Sequence, residues 1–411
     1  MGWVHNMEKT ICLYDSQPYE VAFEATVLSC ESLQREQATV YEVVLDRTMF
    51  FPEQGGQTPD QGTLGGAKIL DVRIRDGVVT HTVDASLAVG KRVQGMVDWD
   101  YRFSNMQQHT GEHIFSGIVY ETYGFHNVGF HLSDSVVTMD YDGVIPPEEI
   151  SDIEMRANQV IADNLPVEVE FPTPEALEQL EYRSKKELEG PVRIVTVPGV
   201  DVCACCAPHV RRTGEIGLLK VMDAQHYKGG VRISILCGFR ALAAFRQQER
   251  ILAELTGLLS ANPQQLPERV RQLKQTSHEQ AYRLLQLQEQ QLMERVKTAD
   301  ANMRHVFVFS DPVDANVIRR VVNELTEQHD GFCGVFAGND ADGYQFVIGS
   351  RKEDCQGMAA LLRETCTAKC GGSAKMIQGT LPTTNECIKC TFKMNIYSYN
   401  LELLTNEILW L

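Results

Sequence analysis

His109 and His113 lie four residues apart in DYRFSNMQQHTGEHIFSGIVYETYG, where Ile114, Ile118 and Tyr120 recur at helical intervals up to Gly124. On a helix both imidazoles leave the same face. Far downstream, VCACCAPHV puts Cys205 four residues before His209. Two histidines from a helix with a cysteine and a histidine from a loop make the donor set of a tetrahedral Zn²⁺ site, one per chain. Thiolate with imidazole suits zinc better than Mg²⁺ or Ca²⁺, which take oxygen. Cys203 and Cys206 form a C-x-x-C and compete as ligands, although Cys205 has the better spacing to His209. Glu112, between the two helical histidines, is a candidate for orienting a ligand or carrying a proton.

Other chemistries share these residues. His109 to His113 also reads as H-x-x-E-H, the inverted zinc-protease motif with Glu112 as general base, which would need Glu187 or Glu189 as a third ligand. That reading leaves Cys205 and His209 without a role. A zinc-stabilised RNA-binding scaffold without turnover would use the same four donors structurally. Cys366, Cys370, Cys387 and Cys390 are spaced to form a second, all-cysteine site.

The elements that must position these residues change texture along the chain. Residues 19–83 alternate apolar and polar in short, glycine-broken runs, the pattern of a small antiparallel barrel. Between two of its strands lies TMFFPEQGGQTPDQGTLGG, a shaped loop with Thr48, Gln57 and Asp60 whose glycines let backbone approach a ligand. Residues 98–240 mix the histidine helix, an amphipathic helix at PPEEISDIEMRANQVIADN and several strands. Two further helical runs follow, the second carrying Leu266, Val270, Leu273, Leu284 and Leu287 on a heptad frame interrupted by Ser277, Gln280 and Gln291. HVFVFSD, GVFAG and YQFVIGS are strands of a last small α/β domain, and its final stretch fits no pattern. The class is therefore α+β: a β-barrel over 1–90, a zinc-containing domain over 91–240, a helical or coiled-coil arm over 241–300 and an α/β domain over 301–411.

With 411 residues, 43% of them apolar, the chain can build several cores and is not a disordered protein. No run of eighteen apolar residues occurs, and MGWVHNMEKTICLYD lacks the basic start and apolar centre of a signal peptide. A cytosolic protein without membrane partners is expected. Twelve cysteines in a chain this long do not form a disulfide scaffold. A net charge of −17 disfavours broad, non-specific nucleic-acid binding, DNA included, so any RNA partner needs gathered cations. Lys91, Arg92 and Arg102 precede the histidine pair, Arg211, Arg212 and Lys220 follow His209, and Arg363, Lys369, Lys375, Lys389 and Lys393 gather around KCGGSAKMIQG.

His-x-x-x-His followed by Cys-x-x-x-His, with TGEIGLLKV and VRISILCGFRAL after it, resembles the editing domain of alanyl-tRNA synthetases. The Thr48–Gly62 loop resembles the segment that precedes that domain, and the arm with GGSAKMIQG is similar to the synthetase's DHHA1-type C-terminal domain. Without an aminoacylation domain, the combination resembles the long form of the free-standing alanyl-tRNA editing proteins, over about Tyr19 to Thr384. The resemblance implies zinc-dependent hydrolysis of serine, or glycine, from mischarged tRNA(Ala), acting in trans and without ATP in support of translation fidelity. It implies zinc ligands at His109, His113, Cys205 and His209, and Thr48 against the seryl hydroxyl. With it go substrate contacts from Gly55, Gly56, Gln57 and Asn127, a catalytic role for Glu112, and tRNA contacts from Gly371, Gly372, Lys375, Gln378 and Gly379. The arm implies a homodimer. The chain departs from the family where CCAPH replaces CGGTH, at Cys206 and Pro208, and at Glu112, where the synthetases often have Thr.

Overall fold

The alternating N-terminal strands roll into a closed barrel in the order Ala22–Arg35, Ala38–Leu45, Val78–Val83, Ala67–Arg75, Gly62–Leu64, Arg92–Val97. Their inward residues, among them Val27, Val43, Leu45, Leu64, Val72 and Val79, form its core. The closing strand lies beyond the expected boundary at residue 90. The computed structural model describes residues 8–35, 38–184, 192–297, 302–395 and 408–410, and the chain divides into two units, Met1–Ala253 and Glu254–Leu411. Within the first unit the barrel is followed by helix α1 (Trp99–Tyr123), helix α2 (Pro147–Ala162) and an antiparallel sheet ordered Leu219–Tyr227, Gly230–Cys237, Val137–Tyr141, Asn127–Leu132.

Helix α1 begins where the Asp98 carboxylate accepts the Tyr101 amide and ends where Gly124 adopts φ 69° and donates to Tyr120 O. Every residue from Asn105 to Val119 is buried, polar ones included. One face packs Ile114, Phe115 and Ile118 with Ile150, Ile153 and Ile161 of α2 and with Met139, Ile233 and Ile235 of the sheet. A side chain at Gly117 would strike Val200 O at 2.4 Å, so the absence of one lets the strand Asp201–Ala204 approach the helix. That strand belongs to a three-stranded sheet with Glu168–Glu170 and Ile194–Val197.

The second unit is mixed as well. Its six strands run in the order Lys369–Gly372, Met376–Leu381, Gly343–Gly349, Cys333–Asn339, His305–Ser310, Ile408–Trp410. The last of these, from the tail that matched no pattern, pairs parallel with His305–Phe307, and residues 396–407 of that tail lie outside the described residues. The long helix Leu266–Lys297 packs Leu292 and Val296 against Val317, Ile318 and Val321, and Glu289 binds Arg320 at 2.7 Å. Val270, Leu273, Leu284 and Leu287 stay exposed, so the heptad frame is not buried within this unit. No helix among the described residues is long and apolar enough to cross a membrane.

Arg102, read from sequence as one of the cations leading into the histidine helix, is instead wholly buried. Its Nε lies 2.8 and 2.9 Å from the two Asp60 oxygens, its Nη2 binds Asp60 and Met49 O, and its Nη1 donates to Pro18 O at 3.0 Å. Asp60 in turn accepts the Phe51 amide at 2.6 Å. This one guanidinium therefore ties helix α1 to the glycine-rich loop of the barrel. Arg102→Met strands the buried Asp60 carboxylate and should cost about 3–5 kcal/mol. Arg92→Met, at an exposed pair with Glu24, should cost less than about 1 kcal/mol. Denaturant unfolding of the two variants checks this, and equal losses would contradict it.

Candidate functional site

The helical spacing does what it implies: His109 and His113 project from one face of α1, their ring centres 5.5 Å apart. Cys205 and His209 arrive on the loop after the strand Asp201–Ala204. Arg193 fastens that loop, donating from Nη1 to Cys205 O at 2.9 Å and to Ala207 O at 2.8 Å. The donor atoms of His109, His113, Cys205 and His209 all lie within 4.8 Å of one another, a cluster that could hold a metal ion. Cys205 Sγ is 3.4 Å from both His109 Nε2 and His209 Nε2.

Each imidazole is held by its far nitrogen. His109 Nδ1 donates to Gln57 Oε1 at 2.7 Å and His113 Nδ1 to Asp201 Oδ2 at 3.0 Å, since both acceptors lack a proton to give. His209 Nδ1 pairs with Thr110 Oγ1 at 3.0 Å, and that oxygen also accepts the Val210 amide. The bonds turn the Nε2 atoms of His109 and His113 toward the cluster.

The three neighbouring cysteines differ in how readily they ionise. Burial resists ionisation of Cys205, but the adjacent His109 and His209 rings outweigh it and draw the thiol well below its ordinary value. Burial pushes Cys203 up to about 11 and Cys206 up to about 12. Burial also takes His209 down to about 3, with His113 adding to the effect. Cys205 is thus the cysteine whose sulfur faces the cluster's imidazoles, while Cys206 Sγ sits 3.5 Å from where a side chain on Gly55 would begin. His113, Asp201 and Cys203 also converge, but both Asp201 oxygens are already bound by Arg183.

Glu112 is buried beside the cluster, its Oε2 3.9 Å from His113 Nε2. Its Oε1 accepts from Ser116 Oγ at 2.7 Å and Asn127 Nδ2 at 2.6 Å, and Ser116 also bonds Tyr141. The glycine-rich loop docks against strand Asn127–Leu132, where Leu132 N donates to Gly56 O at 2.7 Å. Gly56 has φ 83°, and a side chain there would strike Phe130 O at 2.4 Å. Thr48 meets none of the four donors through its hydrogen bonds. Its hydroxyl bonds His81 Nε2 at 2.8 Å and accepts the Phe50 amide at 3.1 Å, while His81 Nδ1 faces Val43 O at 3.2 Å.

Gly371, Gly372, Lys375, Gln378 and Gly379 lie together in the second unit on the hairpin from Lys369 to Leu381, with Gln378 Oε1 accepting from Arg319 at 3.0 Å. The proposed second metal site fails: Cys366 bonds Thr391, Cys370 bonds Ala359 O, and the four cysteines form no donor cluster among the described residues. Cys366, Cys370 and Cys387 pack instead as small apolar groups in one core, and Cys390 is exposed. Glu187 and Glu189 lie outside the described residues. Of the other cations expected to meet RNA, Lys220 is paired with Glu154 at 2.8 Å and Arg211 lies over the Tyr19 ring. Asp201, Arg183, Thr110 and the His109 contact of Gln57 had no local signal in the sequence, because each meets its partner only through the fold.

Comparison with known proteins gives two matching family models. The model described as threonyl and alanyl tRNA synthetase second additional domain matches residues 192–234, and that for tRNA synthetases class II (A) matches residues 5–101. The chain is 32% identical to the alanyl-tRNA editing protein Aarsd1 of Mus musculus over 279 residues, covering 64% of this chain and 67% of that protein. It is 30% identical to the alanyl-tRNA editing protein AlaX-L of Pyrococcus horikoshii, covering 62% of this chain and 64% of the relative. It is also 30% identical to the alanine–tRNA ligase of Natronomonas pharaonis over 84% of its own length, but spans only 39% of that enzyme.

Burial holds His81 neutral, with its pKa lowered from 6.5 to about 4, against the opposing pull of Val43 O. An unfolded chain takes up this proton first as pH falls. The stability His81 contributes is therefore complete above about pH 6.5 and is lost toward pH 4, to the extent of about 3 kcal/mol. Denaturant unfolding of wild type and His81→Leu from pH 7 to pH 4 should show the steeper decline in wild type, and parallel declines would refute it.

Proposed function

The chain belongs to the family of alanyl-tRNA editing proteins, and from that premise we propose that it hydrolyses the ester joining serine to the terminal ribose of mischarged tRNA(Ala), with glycine as a second substrate. The observation that carries the reading is the convergence of His109, His113, Cys205 and His209. We assign Zn²⁺ to these four donors, one per chain. Their 3.4 Å nitrogen–sulfur separations fit a tetrahedral ion with Zn–N and Zn–S bonds of the usual length, which spaces such donors about 3.5 Å apart. With all four donors supplied by the protein, a bound zinc would serve by fixing its ligand residues and, through His109, the Gln57 amide beside them, rather than by activating a water.

The protein's own groups supply the rest. Gln57 Nε2 is a buried donor without a partner among the described residues, on the same amide that orients His109, and is proposed to hold the ester carbonyl. Thr48 Oγ1, bonded to His81 and accepting from Phe50, keeps one lone pair to accept the seryl hydroxyl. Such recognition is needed because an alanine-activating pocket separates serine or glycine from alanine by only about 1–3 kcal/mol. Glu112, steadied by Ser116 and Asn127, is proposed as the proton acceptor beside the site. The Lys369–Leu381 hairpin, with Lys375, is proposed to contact tRNA, the open heptad seam to make a homodimer, and the cytoplasm to be the location.

Cys205 Sγ is a fourth donor for which an H-x-x-E-H protease has no use. Deacylation of Ser-tRNA(Ala) and Ala-tRNA(Ala) by wild type, His109→Ala and Cys205→Ala tests the reading. Loss of serine only, abolished in both variants together with bound zinc, is expected. Zinc retained by Cys205→Ala would favour the protease, and no cleavage by zinc-loaded wild type would leave an RNA-binding scaffold. Thr48→Val should raise KM for the seryl substrate about tenfold, the worth of one hydrogen bond of about 1.4 kcal/mol.

A further inference from the structure

The three imidazoles of the cluster are held by three different chemistries. Gln57 offers a neutral amide, Thr110 a neutral hydroxyl, and only His113 meets a carboxylate, that of Asp201. Asp201 is not alone. Arg183 grips both of its oxygens, Nε to Oδ1 at 2.7 Å and Nη2 to Oδ2 at 2.9 Å, and the two side chains are 10% and 1% exposed. A fork of this kind fixes the carboxylate in direction as well as in place.

Arg183 is also stitched by its backbone to the strand that leads into Cys205. Its amide donates to Val202 O at 2.8 Å, and its carbonyl accepts the Ala204 amide at 2.9 Å. One residue, itself no donor to the cluster, thus sets the direction of one cluster histidine and the course of the strand that delivers Cys205.

We propose that Arg183 and Asp201 act as a positioning pair for the metal centre, setting its affinity through the orientation of His113 without touching the metal. The inference rests on the zinc assignment made above. In competition with a chromogenic chelator, Asp201→Asn should weaken Zn²⁺ binding by about 10–100-fold. Arg183→Lys keeps the charge but reaches only one oxygen, and should weaken it by about 3–10-fold. Arg183→Met should weaken it more than Arg183→Lys does, so that lysine is a partial rescue. The visible spectrum of the Co²⁺-loaded protein should shift in Asp201→Asn, and the zinc concentration for half-maximal deacylation should rise with the dissociation constant. Zn²⁺ affinities within twofold of wild type in all three variants would overturn the proposal. So would an unchanged affinity paired with a raised KM for Ser-tRNA(Ala), which would place the pair against substrate. If Asp201→Asn does not fold, the lysine and methionine variants decide. Wild type that binds no zinc would remove the zinc assignment itself. Wild type that binds zinc and deacylates, with variants that bind as tightly, would remove this inference alone.

Discussion

A helix buried on all sides carries unpaired polar groups only at a cost, about 1–3 kcal/mol for each one left without a partner. Helix α1 is such a helix, and apart from Asn105 Nδ2 and Gln107 Oε1 its buried side-chain polar atoms have recruited the segments around it. Arg102 draws in the glycine-rich loop through Asp60. Gln107 takes Glu215 O, and Gln108 pairs with both the amide and the carbonyl of Cys237 at the end of a sheet strand. Thr110 holds His209, His113 holds Asp201, and Glu112 with Ser116 holds Asn127 and Tyr141. The donor cluster is a by-product of this requirement: satisfying one helix brings a barrel loop, a sheet edge and a cysteine loop to the same two turns.

This arrangement sets what the glycine-rich loop asks of its residues. Gly56 must pass within reach of Phe130 O, and Gln57, one residue on, must present its amide oxygen to His109. A loop held at Asp60 by a buried ion pair and at Gly56 by a backbone bond has little freedom to lose on binding a ligand of the kind proposed. Thr48 has the same character, since His81 and the Phe50 amide fix the direction of its hydroxyl before any ligand is present. Preorganised donors and acceptors of this kind are what discrimination by a single hydroxyl requires.

What could be read from the chain alone follows from the range of each interaction. The histidine pair and the Cys205–His209 pair are local spacings, and the barrel strands carry a period of two, so both are legible. Arg102 was not, because a buried and an exposed arginine look alike in sequence until Asp60 is known to face it. Arg183 and Asp201 lie eighteen residues apart and join only when two backbone segments meet. The three residues Ile408–Trp410 are too short for a pattern, and their partner strand begins at His305. The four C-terminal cysteines mislead for the opposite reason: their spacing suits a metal, yet a thiol is also a good small core residue.

The acidity of the chain bears on how the proposed reaction works in trans. Among the described cations, Arg102 and Lys220 are bound to carboxylates, and so are Arg156, Arg232 and Arg320. Such pairs leave less positive charge for phosphates than the residue count suggests, on a chain already at −17. Phosphate contacts are the part of RNA binding that ignores the identity of the attached amino acid. On the proposed reading, a protein that gains little from them holds correctly and wrongly charged tRNA weakly alike. Most of the discrimination then falls to the acyl group among Thr48, Gln57 and the donor cluster, where serine and alanine differ.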